Sequence, residues 1–312
     1  MADDARSWLV EVERFRRSGV RPPSCAGGVY PADAAELRRA LDRHLARPGS
    51  PSARGAGRGR EEAPASPLRF LVAPHIDYAR GGASYARAYR AAAASDVDLF
   101  VVFGTAHATP PRLFTLTRLD YRTPLGVVPT DRSVVEGLAG ALGEEELFAD
   151  ELVHRDEHSC ELQLPWLQHL RARPFSVVPV LCSSISRLAD PGGATSRFHA
   201  ALARATAGRR VCFVAAADLA HVGPGYGDAR PPTPAELRAL EADDRRTLAF
   251  AAAGDADGFH RDAVRDDARR RLCGVAPIHA ALRASGVRAA RLLDYGQWTD
   301  GVDSVSYAVM AG

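Results

Sequence analysis

Beyond residue 68 the chain alternates between short apolar runs and longer stretches with helical spacing. RFLVAP (69–74), LFVVFG (99–104), FSVVPVLC (175–182) and VCFVAAA (211–217) are six to eight residues long and rich in Val, Leu and Phe. Continuous apolarity, instead of strict alternation, marks strands buried on both faces, as in a parallel sheet covered by helices on each side. Helices are expected over about 83–93, 131–142, 158–170, 195–206, 234–253 and 277–285. Residues 1–18 predict a short amphipathic helix and residues 32–46 another. The tail, ARLLDYGQW (290–298) and SVSYAVMA (304–311), reads as two further strands. This pattern predicts a single three-layer α/β domain with a mostly parallel central sheet flanked by helices.

The one break is RPGSPSARGAGRGREEAPASP (47–67), which is rich in Pro, Gly, Ser and charge. Such a stretch cannot bury apolar surface and is expected to be a mobile surface loop. Too little chain precedes it to form a core. The expected organisation is therefore an N-terminal helical extension over 1–24 and one α/β domain over 25–312.

Charge narrows the function classes. With 40 basic and 38 acidic side chains the formal net charge is +2, which gives no support for nucleic-acid binding through a whole-protein field. No run of about 18 apolar residues predicts a membrane-spanning helix. The N-terminus MADDARSWLVEVERFRR lacks the apolar core of a secretory signal. Cys25, Cys160, Cys182, Cys212 and Cys273 form an odd, scattered set, expected as reduced thiols in a cytoplasmic compartment.

Candidate chemistry gathers where the apolar runs end. RFLVAP leads into His75, LFVVFG runs through Thr105 and Ala106 into His107, and VCFVAAA leads into Asp218 with His221 three residues on. Ligands of open parallel sheets bind outside the carboxyl ends of the strands. Residues far apart in sequence are therefore predicted to meet at one edge. Taken singly, each has a blander role: Asp218 as a turn or helix cap, His221 as a loop residue before Gly223 and Pro224. The segment Asp156-Glu157-His158-Ser159 either favours the dipole of the helix that follows or lines the pocket and orients ligands. Cys273 follows three arginines near an expected helix start. Such a cysteine tends to have a depressed pKa and could serve as a metal ligand or a nucleophile. His44, His169, His199, His260 and His279 fall on helical or surface stretches and are expected to be structural. Neither a dinucleotide nor a mononucleotide phosphate loop is present, nor HExxH, CxxC or GxSxG.

The motifs together resemble the Memo-like family, known also as AmmeMemoRadiSam system protein B. The resemblance is carried, in order, by AGGVYPAD (26–33), APHIDYARGG (73–82), FGTAHA (103–108), YRTPLG (121–126), DEHSCELQLPWL (156–167), VVPVL (177–181), AADLAH (216–221), CGVAPI (273–278) and DSVSYAVMAG (303–312). It implies a fold similar to that of class III extradiol dioxygenases (LigB-like). It also implies an iron- or copper-holding pocket whose ligands, carried over by motif, are His75, His107 and Cys273, with Asp218, His221 and His158 beside them. A functional link to AMMECR1-like and radical-SAM proteins is implied as well. Two departures stand out: PHIDY puts Asp77 where the family has a small residue, and GTAHA has one histidine where the family has two.

Three functions are compatible with these residues. The first is a mononuclear iron or copper redox enzyme acting on a small organic substrate, with His221 or His158 moving protons and Asp218 orienting a histidine or the substrate. The second is a zinc- or thiol-dependent hydrolase, and the third a non-catalytic binding or adaptor protein using the same pocket. Iron ranks first among the metals, then copper, then zinc.

Overall fold

The computed structural model describes residues 2–46, 67–183 and 193–312. The loop expected at 47–67 therefore lies, but for Pro67, outside the described residues. The chain opens with α1 (Ala2–Arg17), β1 (Val20–Arg21) and α2 (Ala34–Ala46). The first long apolar run forms β2 (Phe70–Ala73), followed by α3 (Tyr78–Ala93) and β3 (Leu99–Ala106). Three short strands come next: β4 (Phe114–Leu116), β5 (Asp120–Thr123) and β6 (Gly126–Val128). Then follow α4 (Arg132–Leu142), α5 (Glu144–Phe148), two 3-10 turns (Glu151–Arg155 and Glu161–Gln163), α6 (Leu164–Leu170) and β7 (Ser176–Ser183). The remainder comprises α7 (Ala194–Ala205), β8 (Val211–Ala216), β9 (Asp218–Val222), a further 3-10 turn (Pro224–Tyr226), α8 (Pro234–Ala252), α9 (Ala256–Arg265), α10 (Asp267–Arg270), α11 (Val275–Ser285), β10 (Arg291–Thr299) and β11 (Ser304–Ala311).

The main sheet has the order β10-β11-β2-β8-β3-β7-β4, with β9 pairing β11. It is mixed. Its centre, β2-β8-β3-β7, is parallel. The flanks are antiparallel: β4 on β7, and β11 on β2 with β10 beyond it. The three-layer α/β prediction holds, because the four runs read from the sequence form that parallel centre.

Period-two geometry explains why those runs are continuous. Leu99, Val101 and Phe103 of β3 point into one core, with Phe198, Ile278 and Leu282 from the helices on that side. Phe100 and Val102 point into the other, with Leu37, Leu41, Tyr85, Tyr89 and Trp166. Apart from the half-buried Ser176 at the start of β7, every position on the four central strands is buried, so none of those need be polar. A second sheet, β1-β5-β6, lies apart from the first. Pairing of Arg21 with Tyr121 within it makes residues 20 and 21 part of the packed domain.

Two helices differ from expectation. α3 begins at Tyr78, five residues early, because the Asp77 carboxylate caps it by accepting the Arg80 N–H at 2.9 Å. The helix expected over 158–170 is regular only from Leu164. Pro165 sits in its first turn, and the chain before it is occupied elsewhere.

Candidate metal centre

The parallel centre delivers its carboxyl ends to one edge, as predicted. β2 ends at Ala73, and His75 follows at 2% exposure. β3 ends at Ala106 and places His107; β8 ends at Ala216 and is followed by Asp218. The segment 156–160 then crosses the end of β3. There the Ser159 hydroxyl donates to the Thr105 carbonyl at 2.9 Å. A side chain at Gly104 would put Cβ 2.4 Å from Ser159 Oγ and 2.7 Å from Cys160 Sγ, so only glycine permits this crossing. The crossing carries His158 to the other two histidines.

One ligand atom each from His75, His107 and His158 lies within 4.8 Å of the others. Ring centroids are 5.1 Å apart for His75–His107, 5.4 Å for His75–His158 and 4.7 Å for His107–His158. The rings are anchored from behind. His75 Nδ1 lies 2.9 Å from the Ala216 carbonyl, which only accepts, so Nδ1 carries the proton and Nε2 keeps its lone pair. His107 Nδ1 lies 3.0 and 3.1 Å from the two oxygens of Glu157. The same carboxylate accepts the His107 N–H at 2.8 Å and the Ser159 N–H at 2.9 Å, and lies 3.3 Å from His158 Nδ1. Glu157 is thus an orienting group for two of the three histidines, not a helix cap.

Electrostatics keep most of these groups ready to bind a cation. Burial, reinforced by the neighbouring His107 and His158, lowers the pKa of His75 well below the ordinary value. Burial likewise lowers that of His158, against the pull of Glu157. For His107 burial opposes protonation, but the Glu157 hydrogen bond and charge outweigh it and the pKa is raised. Burial alone would raise Glu157, yet the histidines hold it well below the usual carboxylate range.

Asp218, His221 and Cys273 lie close by. Asp218 Oδ1 accepts the His75 N–H at 3.0 Å, and burial pushes its pKa up to about 7 against that bond and one from Ile76. His221 sits on β9 opposite Val305, lines the same pocket as His75 and His107, and is lowered to about 4 by burial. Cys273 Sγ is 3.2 Å from His75 Nε2 and 3.8 Å from the Asp218 carbonyl. It stands beside His75 without joining the three-histidine set. Its surroundings differ from the expected basic helix start: burial and the neighbouring Asp218 push the thiol well above its ordinary pKa. Arg271, two residues before it, turns away to the His221 carbonyl (3.0 Å) and Asp228 (2.7 Å).

The turn after Cys273 is as tight as the one over Gly104. A Cβ on Gly274 would lie 2.2 Å from the Asp218 carbonyl and 2.8 Å from Ala217 Cβ. Gly274→Ala should cost about 1–3 kcal/mol by overpacking and loosen the contact of Cys273 with His75. A melting temperature within 1 °C of the parent, on the order of a negligible stability change, would contradict this.

Sequence reasoning left out the support beneath the site. Arg21 and Glu161 are fully buried and ion-paired. Arg21 also donates to the carbonyls of His154 and Glu157, both at 2.8 Å, which fixes the segment bearing Glu157. Glu161 accepts from the Tyr30 hydroxyl and from the N–H groups of Ser24 and Cys25, both at 3.0 Å. This ties residues 24–30, one wall of the pocket, to its floor. The pocket has a volume of about 570 Å³ and is lined by the three histidines, Asp218, His221 and Cys25 among others. An isolated arginine or glutamate carries no sequence signal for such a role.

The comparisons with known proteins agree with the motifs. The chain is 30% identical over 229 residues to a MEMO1 family protein of Methanosarcina barkeri, covering 72% of this chain and 77% of that one. It is 30% identical over 304 residues to one from Methanopyrus kandleri (94% and 96%) and 27% identical over 305 residues to one from Aquifex aeolicus (96% and 75%). The family described as Memo-like protein matches residues 21–311, nearly the whole chain with the site inside it, and the protein therefore belongs to the Memo-like family.

Proposed function

We propose that this protein holds one redox-active metal ion at the His75–His107–His158 cluster and oxidises a small organic substrate there. The observation that carries the reading is the convergence of three imidazole nitrogens within 4.8 Å, on rings braced by Ala216 and Glu157. Donor atoms sharing an ion at bond lengths of about 2.0–2.3 Å must approach one another to a few ångströms, so the residues present fit such a group. Imidazole suits iron, copper and zinc; we rank iron first and copper second, because nitrogen ligands with open positions suit oxygen chemistry. The bound ion would supply electron transfer to and from substrate and oxygen.

The protein's own groups do the rest. His75 and His107 are the two ligands shared by the geometry and the motif resemblance. His158 completes the set in the arrangement described, and Cys273 is the alternative third ligand. His221, neutral at physiological pH, accepts a proton from substrate. Asp218 fixes His75 through its backbone N–H. No helix among the described residues is long and apolar enough to cross a membrane. The five thiols are unpaired, which supports placing the protein in a reducing compartment such as the cytoplasm. The link to AMMECR1-like and radical-SAM proteins rests on the motif resemblance alone.

A zinc-dependent hydrolase would use the same imidazoles, so oxygen separates the two. Iron- or copper-loaded protein given ascorbate as electron donor should consume oxygen faster than the same metal with a His75→Ala/His107→Ala variant. Equal rates would remove the oxidation chemistry and favour hydrolysis.

A further inference from the structure

Arg80 stands at the mouth of this pocket and is held at every point except its tip. Its backbone N–H donates to Asp77 Oδ1 at 2.9 Å, and its carbonyl accepts the Tyr307 hydroxyl at 3.2 Å. Its Nε pairs with Asp77 Oδ2, and its guanidinium lies 4.5 Å from the centroid of the Trp298 ring. The two terminal nitrogens have no partner among the described residues. The side chain is one-third exposed, at 34%, and lines the pocket with His75, Ile76, Tyr226 and Val305. Its positive charge reaches inward to both Asp218 and Tyr226.

A surface arginine that only solubilises a helix has no need of a stacking ring and a carboxylate on Nε. Those two contacts remove the rotamer freedom that would otherwise oppose binding, and they leave a planar two-nitrogen edge. That edge matches a carboxylate or phosphate in bidentate fashion. Asp77, standing where the family has a small residue, caps α3 and aims Arg80. The neighbouring wall, Ile76 and Val305 with the Tyr226 ring, is apolar.

We infer that the pocket selects an anionic small molecule, its carboxylate or phosphate gripped by the terminal nitrogens of Arg80 and its apolar body laid against Ile76, Val305 and Tyr226. The inference deepens the proposed function and rests on it for the claim that this ligand is the substrate. Arg80 is on this account a specificity-determining residue.

Calorimetric titration tests it with three probes that share one tail: hexanoate, hexyl phosphate and hexanamide. Each is titrated into metal-loaded and chelator-stripped protein, for the parent, Arg80→Met and Arg80→Lys. At least one anion should bind the parent 10-fold or more tighter than the amide. Arg80→Met should weaken that anion by about 10- to 100-fold and leave the amide unchanged, the range expected of a charged hydrogen-bonding group. Arg80→Lys should recover part of the loss, and the tighter anion names the head group. Equal affinity for anion and amide, no anion binding at all, or no difference between parent and Arg80→Met would overturn the inference. Metal uptake is read separately on the same samples. A parent that takes up no metal yet binds anions through Arg80 contradicts the proposed function and not the anion site. A metal-loaded parent indifferent to Arg80→Met does the reverse.

Discussion

Glu161→Ala should destabilise the fold by about 3–5 kcal/mol, the largest single loss expected outside the central strands, because it strands the fully buried Arg21 guanidinium. That is a large share of the roughly 5–15 kcal/mol that holds an ordinary domain together. The carboxylate also satisfies Tyr30, Ser24 and Cys25, so the loop 24–30 should loosen with it. Urea unfolding reads the loss as a fall in midpoint at unchanged slope. Should the alanine variant fail to accumulate, Arg21→Met/Glu161→Leu keeps the comparison open. Removing both charges together costs less than removing one, since no unpaired ion is left behind. A Glu161→Ala loss below about 1 kcal/mol would show that the pair is solvated and not a support.

Glu157→Gln should weaken metal binding by about 10- to 100-fold, the usual effect of removing a carboxylate that orients ligating histidines. The amide keeps one acceptor but no charge, so His107 and His158 lose their common anchor. The pH dependence should change as well. In the parent, Glu157 raises the pKa of His107. Protons therefore compete with the metal for that ring as pH falls through this raised value. In Glu157→Gln the His107 pKa drops, so the same competition begins at lower pH while the plateau affinity is weaker. A chelator-competition series from about pH 5 to 8 separates the two effects, covering the range in which histidine titrates. Identical affinity at every pH would mean that Glu157 has no hand in the site.

The parallel centre was legible because a strand buried on both faces must be largely apolar: β2 and β8 are so throughout, and β3 and β7 carry polar side chains only near their ends, at Thr105, Ser176 and Ser183. Their polar ends were legible for the same reason: His75, His107 and Asp218 are the first residues past the core. β4, β5 and β6 were not legible, being three or four residues long with Arg122 and Val127 exposed beside buried neighbours. β9 escaped notice because it leaves the β8 run after one residue to pair with β11.

The candidate site divides in the same way. The sequence could offer Glu157 and His158 as pocket residues or helix-dipole partners with equal reason. What decides is the irregular crossing of 156–160 over Gly104, a tertiary contact without local periodicity. Arg21, Glu161 and Arg80 are ordinary charged residues until burial or a stacked ring gives them work, and neither can be read from neighbours in sequence. The thiol of Cys273 shows the opposite error: its basic neighbours predict a depressed pKa, but Arg271 points elsewhere and burial prevails.

The most direct test of the metal centre is metal content by mass spectrometry. It is made on protein purified anaerobically without an affinity tag, for the parent, His75→Ala, His158→Ala and Cys273→Ala, each verified as folded by its unfolding midpoint. The account predicts about one iron or copper ion per parent chain and loss of that ion in His75→Ala, as expected when a ligand is removed from a mononuclear site. Loss in His158→Ala with retention in Cys273→Ala would make the third histidine the ligand, and the reverse would give that place to the thiolate. A parent that stays metal-free after reconstitution with Fe(II), Cu(I) and Zn(II), or a His75→Ala variant that keeps its metal at the parent's stoichiometry, would contradict the account.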